Sequence, residues 1–428
     1  MEKIRSGQSF LYRKAGYAST IIDVRMKDSV SGSYLCRALD KALQRYPYLR
    51  SKLVEKSGEF YLEEDNISMI AVMTNKSRVL GSMSTGYHLI DVTYTSNKIC
   101  VAFHHALCDG RGIKPFIETL IYYYCCLKYN KVLDSTGIRL AEDPLLDKET
   151  AEPFEKEFFN IDKENVFEIS KDGYRLPETT EEKENHYRTE INIDKSKFIE
   201  FAKAHNATPA ILLSMIVSSS IKKLHPTLDK PIVCSMATDY RQAIGMNNTH
   251  KNCVGSIYLP YSDETENMSL SEQATMYREL MNKQRTPDSI KNSLNMQVGL
   301  YNKLDTISSL DERRNMLSFF DDICIDTYVI SYLGQFALDS CSDYIESMHL
   351  YSSGTKGLII NMISVGNCIT LDILQHFESD EITAAIKNTL DEYNIPYSAT
   401  DRILFETRND KAYITASRQA ERYYKFYS

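Results

Sequence analysis

The most constraining feature of this chain is an apolar segment that ends in two adjacent histidines and is followed at once by a helix pattern. Residues 98–105 are apolar on both faces of an extended chain, which predicts a strand buried on both sides. Asp109 and Gly110 follow three residues after the histidines, and apolar residues then recur at helical spacing over 112–129. A buried strand leading into a long helix is typical of folds that mix strands and helices.

Both halves of the chain show this mixture. In the first half, residues 19–26 alternate as a half-buried strand does, and 33–46 form an amphipathic helix pattern that Pro47 ends. In the second half, residues 208–223 begin with a hydroxyl cap and a proline and are apolar nearly all round. Further elements are predicted over 187–193, 231–237, 269–283, 326–332, 357–364, 367–374 and 379–393. The sequence therefore predicts an α/β or α+β class with two similar lobes.

A charged segment that contains three prolines, residues 141–190, separates the two halves and is most polar over 179–184. A length of 428 residues is enough for two domains. We predict an N-terminal lobe over 1–170, which carries the paired histidines, and a C-terminal lobe over 171–428. The alternative is that the charged segment is a solvated surface loop within one domain.

Composition narrows the classes of function. Lys and Arg number 50 against 58 Asp and Glu, a net charge of −8, which argues against a nucleic-acid partner. The apolar runs are far shorter than the ~20 residues that a transmembrane segment needs. The first residues lack the apolar stretch of a secretory signal. The 10 cysteines are scattered without a C-x-x-C pair, so we expect a reducing, cytoplasmic location.

The paired histidines carry the clearest chemical signal. Adjacent residues of a strand point to opposite faces, so only one of His104 and His105 can face a given cavity. An imidazole with an ordinary pKa of ~6.5 needs little adjustment to act as a base near neutrality. A buried Asp109 needs a cation or several backbone donors. Gly110 would let the chain turn sharply without a Cβ.

Three other interpretations of this segment compete. A metal site made from His104, His105 and Asp109 is disfavoured, because the adjacent histidines diverge. A Cys108–His105 nucleophile pair lacks an evident third group to orient the histidine. His105 as a histidine satisfied within the core, without a catalytic role, stays open as an alternative.

The segment from His104 to Gly110 matches the HHxxxDG motif, and the chain resembles the chloramphenicol-acetyltransferase-like superfamily. That superfamily includes condensation domains of peptide synthetases, alcohol and wax-ester acyltransferases, and polyketide-associated acyltransferases. Weaker similarities extend over most of the chain, at residues 39–53, 208–223, 236–241, 252–255 and 328–336. The resemblance implies two similar lobes that form a V-shaped pseudo-dimer with a central tunnel. The DFGWG motif of the plant-type branch is absent, since the chain has no Trp.

The resemblance also implies roles for single residues. His105 would be the general base, His104 its buried neighbour, and Asp109 a structural residue paired with an arginine, for which Arg241 is the candidate. Candidates for binding the oxyanion or substrate are Ser331 and Asn252.

The implied reaction is transfer of an acyl group from acyl-CoA, or from a phosphopantetheine-linked donor, to a small-molecule alcohol or amine. These donors would be substrates, so no permanently bound cofactor and no metal is expected. An acyl or peptidyl carrier protein is a possible partner, and residues 418–428 are either a frayed terminus or a contact for an acidic carrier. The alternative function is a catalytically silent, condensation-like module for binding or recruitment.

Overall fold

The structure, a computed structural model, describes residues 1–12, 19–158, 160–170, 172–176, 186–323, 326–352 and 357–405. The predicted polar stretch at 179–184 and the tail at 418–428 lie outside these described residues. Within the described part of the chain, the strands form three sheets, and the mixed α/β class is confirmed.

The strands and helices have the following bounds. The strands are β1 Glu2–Lys3, β2 Ser19–Met26, β3 Lys52–Lys56, β4 Glu59–Glu63, β5 Val72–Met73, β6 Ile90–Tyr94, β7 Lys98–His104, β8 Tyr187–Asp194, β9 Ile232–Asp239, β10 Val254–Tyr261, β11 Tyr328–Gln335, β12 Ile345–Ser352, β13 Leu358–Val365, β14 Cys368–Gln375, β15 Tyr397–Ala399 and β16 Ile403–Leu404. The α-helices are α1 Ser9–Tyr12, α2 Gly32–Arg45, α3 Gly110–Tyr129, α4 Lys195–Ala204, α5 Pro209–Leu224, α6 Asp263–Glu266, α7 Leu270–Gln284, α8 Pro287–Asp305, α9 Leu310–Ile323 and α10 Glu381–Glu392.

The first large sheet has the strand order β12-β2-β7-β6-β5, with the histidine-bearing strand β7 at its centre. Ile99, Val101 and Phe103 of β7 are fully buried, as the run of apolar residues predicted. Helices α2 and α3 pack against each other and bury their apolar faces in the same core. A separate small sheet has the order β1-β4-β3.

The second large sheet has the order β10-β9-β11-β13-β14-β8-β15, and β16 also pairs with β8. Strands β9, β11 and β13 run parallel to one another, whereas β13 and β14, which lie where two elements were predicted, form an antiparallel hairpin. Helix α5 begins at Pro209, where the Thr208 side chain accepts a hydrogen bond from the Ile211 amide. Its residues are buried nearly all round in a second hydrophobic core, as the sequence predicted.

Strand β12 was not predicted, and it links the two halves of the chain. It comes from the C-terminal half but pairs antiparallel with β2 in the first sheet. Apolar residues of α8 and α9, also from the C-terminal half, pack into the first core. Strand β12 and helices α8 and α9 thus lie after residue 171 but pack with the first half of the chain. The domain boundary between residues 170 and 171 stays a prediction. No helix among the described residues has the length and apolar character needed to cross a membrane.

Candidate active site

A cavity of about 580 Å³ lies between the first and second large sheets. The first sheet and the elements next to it contribute Phe10, Thr20, His105, Gly110, Arg111, Leu350 and Ser352 to the lining. The second sheet contributes side chains from β9, β10, β11 and β13, including Ser235, Ser256, Ser331 and Asn361. The cavity is large enough for a small-molecule ligand. The central tunnel itself stays a prediction.

His105 follows directly after β7 and lines this cavity. Its Nε2 lies 3.1 Å from Oγ1 of Thr20, a buried residue of β2, whereas its Nδ1 is buried away from solvent. The ring stacks on Phe10, with the ring centres 4.5 Å apart and the planes 22° apart. The half-buried imidazole is therefore held in one orientation, with Nε2 beside a hydroxyl that also lines the cavity.

The backbone at His105 is fixed by a close approach of the N-terminal segment. Gly7 has a φ of 74°, in the left-handed region that favours glycine. A Cβ at Gly7 would come within 2.1 Å of the His105 carbonyl oxygen. The segment that carries Phe10 onto the histidine ring thus depends on a glycine that sequence analysis did not single out.

His104 is not among the residues that line the cavity, so of the two histidines only His105 faces it. It is buried, and its Nδ1 accepts a hydrogen bond from the Ala106 amide at 2.9 Å. Burial and the neighbouring His105 lower the pKa of His104 to about 3. His104 is therefore neutral near pH 7 and holds the turn that follows β7.

Asp109 is fully buried at the first turn of α3, where it has three partners. Oδ1 caps the helix by accepting from the Gly112 amide at 2.7 Å, and Oδ2 accepts from the Cys253 amide at 2.8 Å. Arg241 donates from Nη2 to Oδ1 at 2.8 Å, and it is the arginine that the resemblance made the candidate for this pairing. A carboxylate taken out of water needs such partners.

Arg241 is itself 2% exposed, and its other N–H groups donate to nearby acceptors. Nε donates to the Thr249 carbonyl at 2.8 Å, Nη2 to the Lys251 carbonyl at 2.7 Å, and Nη1 to Asp239 Oδ1 at 2.9 Å. Burial alone would lower its pKa, but Asp109 keeps the guanidinium charged and raises the pKa. The ion pair therefore connects the start of α3 in the first half with the chain after β9 in the second.

The structure changes the explanation for Gly110 and agrees with the expectation that Cys108 is not a nucleophile. Gly110 is the first residue of α3 and does not adopt a positive φ, so the sharp-turn explanation is wrong. Space is the reason, since a Cβ at Gly110 would lie 2.4 Å from Leu333 Cδ2. Cys108 is fully buried, and burial raises the pKa of its thiol well above the ordinary value, which opposes a thiolate nucleophile.

The two remaining candidates separate. Ser331 on β11 lines the cavity, whereas Asn252 does not belong to its lining. Asn252 is buried just before β10, and its Oδ1 accepts from the Val254 amide at 3.3 Å. The side chain of Asn252 is therefore not positioned to stabilise charge in the cavity, and only Ser331 keeps that candidacy.

Sequence analysis missed Thr20, Phe10 and Asn361. Thr20 sits in a correctly predicted strand, but nothing in the alternation marks its hydroxyl as a partner of a histidine 85 positions away. Asn361 left a signal that could have been used, because it is an amide side chain within the largely apolar segment Leu358–Val365.

A second cluster of ionisable groups lies outside the cavity. Glu190, His349 and Asp372 are all buried, and their possible ligand atoms lie within 4.8 Å of one another. Several of their polar atoms are already engaged: Asp372 Oδ1 lies 2.8 Å from His349 Nδ1, and Glu190 Oε1 lies 2.7 Å from Arg25 and 3.2 Å from Arg188. Two guanidinium groups on one carboxylate oppose a further cation, so we interpret the cluster as a polar network between β12 and the second sheet.

No protein-family model and no curated protein matches the sequence. Solved structures do match over almost the whole chain. Polyketide synthase associated protein 5 from Mycobacterium tuberculosis has a TM-score of 0.59 at 13% identity, covering 91% of this chain and 97% of that one. The first condensation domain of the CDA synthetase has a TM-score of 0.58 at 12% identity, covering 92% and 94%. TRI101 of F. sporotrichioides, complexed with coenzyme A and T-2, has a TM-score of 0.57 at 13% identity, covering 92% and 98%.

At this level of identity the likeness shows the fold. The chain has the two-lobed fold of condensation domains and trichothecene acetyltransferases, and the predicted resemblance is confirmed in that respect.

Proposed function

We propose that this chain, which shares its fold with condensation domains and CoA-complexed acetyltransferases, transfers an acyl group from a thioester to an alcohol or amine. One observation carries the proposal. The His105 ring lines a cavity between the two sheets and places Nε2 beside the Thr20 hydroxyl, where a substrate hydroxyl or amine can also reach it. A positioned imidazole of this kind is the most common general base in enzymes.

The proposed reaction needs no acyl-enzyme. His105 Nε2 accepts the proton of the acceptor O–H or N–H as that atom attacks the thioester carbonyl carbon. The tetrahedral intermediate then collapses, the C–S bond breaks, and the imidazolium returns the proton to the leaving thiolate. The products are an ester or amide and a free thiol. Proton transfer by a positioned base contributes about 10²–10⁴-fold in rate, and alignment of the two substrates supplies much of the rest.

The surrounding residues hold this base in place. The Phe10 stack and the close approach at Gly7 fix the ring and its backbone. The ion pair of Asp109 with Arg241 fixes the start of α3 just after the histidine turn. Ser331, on the opposite wall of the cavity, is the proposed donor to the developing oxyanion.

The donor is proposed to be an acyl-CoA or a phosphopantetheine-linked acyl group, bound as a substrate, with no permanently held cofactor. The acceptor is a small-molecule alcohol or amine. Donor and acceptor would enter from opposite ends of a tunnel that includes the cavity, which would also leave room for a carrier protein at the donor end.

The test is release of free thiol from a panel of acyl-CoA and acyl-phosphopantetheine thioesters, each with a panel of alcohols and amines. We expect the wild type to consume at least one thioester in an acceptor-dependent way, and His105→Ala to lose that activity while its circular dichroism stays unchanged. His205→Ala, which alters a histidine outside the cavity lining, is the matched control and should retain full activity. A folded His105→Ala with an undiminished rate would remove His105 from the mechanism. A wild type that releases no thiol from any donor would favour a silent binding module.

A further inference from the structure

A polar side chain of the second sheet that lines the cavity has one atom without a hydrogen-bond partner among the described residues. Asn361 of β13 lines the cavity and is only 1% exposed. Its Nδ2 donates to the Leu350 carbonyl of β12 at 3.0 Å. A carbonyl can only accept, so the amide cannot be flipped, and Oδ1 must face away from Leu350.

The oxygen that results is an acceptor without a donor. Oδ1 of Asn361 is buried and has no hydrogen-bond partner among the described residues. Buried polar atoms of this kind are rare in folded proteins, because each one loses its hydrogen bonds to water without replacement. An acceptor that is fixed in direction, on a residue of the cavity wall, is suited to a donor that arrives with a ligand.

The position of Asn361 along the sheet can be compared with that of the HHxxxDG turn, residues 104–110. It is the cross-strand partner of Ser331 in the parallel pair of β11 and β13, so both side chains lie on the same face of the sheet. Ser331 lies two residues before Leu333, the residue that a Cβ at Gly110 would touch. Two strand residues span about 7 Å, which places Ser331 and Asn361 close to the level of the HHxxxDG turn.

We propose that Asn361 is a specificity-determining residue whose Oδ1 accepts a hydrogen bond from an N–H or O–H group of a substrate bound beside His105. This inference rests on the proposed function, because it takes the cavity as the place where the substrates meet. A neutral amide oxygen recognises a neutral donor without adding charge to the cavity. Two sources carry such a donor: an amide N–H of the pantetheine arm, or a second hydroxyl of the acceptor.

Discrimination follows from the unsatisfied atom. A ligand with the donor group satisfies Oδ1, whereas a matched ligand without it leaves the oxygen buried and unpaired. We expect the wild type to prefer the ligand with the donor by at least about tenfold. Replacement of Asn361 by a residue without this acceptor should weaken the binding of the ligand that has the donor group. Binding of the ligand without the donor group should not change, so the preference disappears.

The first arm of the test concerns the pantetheine source. Titration calorimetry would compare S-ethyl-phosphopantetheine, the arm common to CoA and carrier-bound donors, with analogues in which one or the other amide nitrogen is replaced by oxygen. The second arm concerns the acceptor source. Thiol release from a thioester that the wild type consumes would be compared between 1,3-propanediol and 3-methoxy-1-propanol as acceptors. The arm in which the wild type shows the preference identifies the source.

Each arm would use the wild type, Asn361→Leu and Asn361→Thr. The threonine variant guards against misfolding, because it keeps a polar hydroxyl at this position while it lacks the amide oxygen. Thr370→Val is the matched control, since Thr370 Oγ1 donates to the Met348 carbonyl of β12 at 2.7 Å and is buried but does not line the cavity. This control should lose stability and keep the preference, which separates a role in recognition from a structural one.

The outcomes distinguish this inference from the proposed function. Loss of a tenfold preference in the Asn361 variants, with Thr370→Val unchanged, supports the inference. A wild type that binds the arm and releases thiol but shows no preference in either arm, or variants that keep the preference, would overturn the inference alone. A wild type that neither binds the arm nor releases thiol would overturn the proposed function and this inference with it.

Discussion

Two histidines of this protein have contrasting surroundings. His349 has the hydrogen bonds of a catalytic triad: its Nδ1 lies 2.8 Å from Asp372 Oδ1 and its Nε2 lies 2.9 Å from Ser347 Oγ. His105 has a Thr20 hydroxyl near Nε2 and a stacked phenyl ring. Yet Ser347, His349 and Asp372 are all buried and outside the cavity lining, whereas His105 belongs to it. Hydrogen-bond geometry alone therefore does not identify an active site, because the base must also be reachable by a substrate.

The two regions also differ in what they connect. Ser347 and His349 lie on β12 of the first sheet, and Asp372 lies on β14 of the second. Next to Asp372 in the second sheet, Glu190 binds Arg25 of β2 at 2.7 Å. The His349 region thus joins the sheets, and we expect its variants to change stability, whereas variants at His105 should change the rate.

The largest effect on stability is expected where the site itself depends on a buried ion pair. Asp109→Ala leaves the Arg241 guanidinium buried without its main counterion, and breaking such a pair costs about 3–5 kcal/mol. Urea unfolding measures this loss. The matched control is Asp239→Ala, which removes the other carboxylate that binds Arg241. The Asp239 side chain is 40% exposed. We expect less than about 1 kcal/mol for the control. A stable, fully active Asp109→Ala protein would show that the pair does not support the site.

The next prediction concerns the pH dependence of stability, which should differ between the His104–His105 region and the His349 region. Burial and the neighbouring His105 lower the pKa of His104 to about 3. Below pH 6.5, the ordinary pKa of the group, His104 therefore binds a proton in the unfolded chain but not in the folded one. Stability contributed by this shift is complete above pH 6.5 and is lost as the pH falls. In His104→Asn, the free energy of unfolding should fall less steeply between pH 6 and 5, by about 1.4 kcal/mol per pH unit.

Glu190 sets the second pH window. Burial alone would raise its pKa, but the hydrogen bond from Arg25 and the interaction with neighbouring His349 lower the pKa to about 2. Its contribution to stability is present above about 4.5 and is lost between there and about 2. Glu190→Gln should therefore change the acid limb below pH 4.5 and leave the slope between pH 6 and 5 unaltered. Identical pH profiles for the His104 and Glu190 variants would contradict this separation.

The smallest effect tests the triad-like geometry of the His349 region. Ser347→Ala removes one hydrogen bond to His349 Nε2, so we expect a loss of stability of about 1 kcal/mol and no change in thiol release. Thermal unfolding and the thiol assay on the same preparation would measure both. A variant that loses activity but not stability would mean that Ser347 is a nucleophile and that our comparison of the two histidines is wrong.

Many of the strands and helices could be predicted, because local sequence patterns specify them. The apolar run before His104, the cap at Thr208 and the helix after Gly110 each depend on residues a few positions apart. The pairing of Asp109 with Arg241 spans 132 positions and was still expected, because a buried carboxylate requires a cation and the resemblance supplied a candidate.

The features that escaped prediction depend on distant contacts. The β12–β2 pairing joins Ser352 to Thr20 across the whole chain, and no local pattern specifies that partner. Asn252 failed as a cavity residue because its side chain folds back onto the Val254 amide. Gly110 was correctly marked but for the wrong reason, since its neighbour Leu333 comes from a strand in the other half of the chain.

We propose that His105, which lines the cavity, carries the chemistry, and that His349, which has the triad-like hydrogen bonds, does not. The most direct test is the rate of thiol release, per folded molecule, for His105→Gln beside His349→Gln with the same thioester and acceptor. We predict that His105→Gln loses about 10²–10⁴-fold in rate, while His349→Gln loses stability and keeps the rate within about threefold of the wild type. A folded His105→Gln protein at the wild-type rate, or a His349→Gln protein that is stable but inactive, would contradict the account.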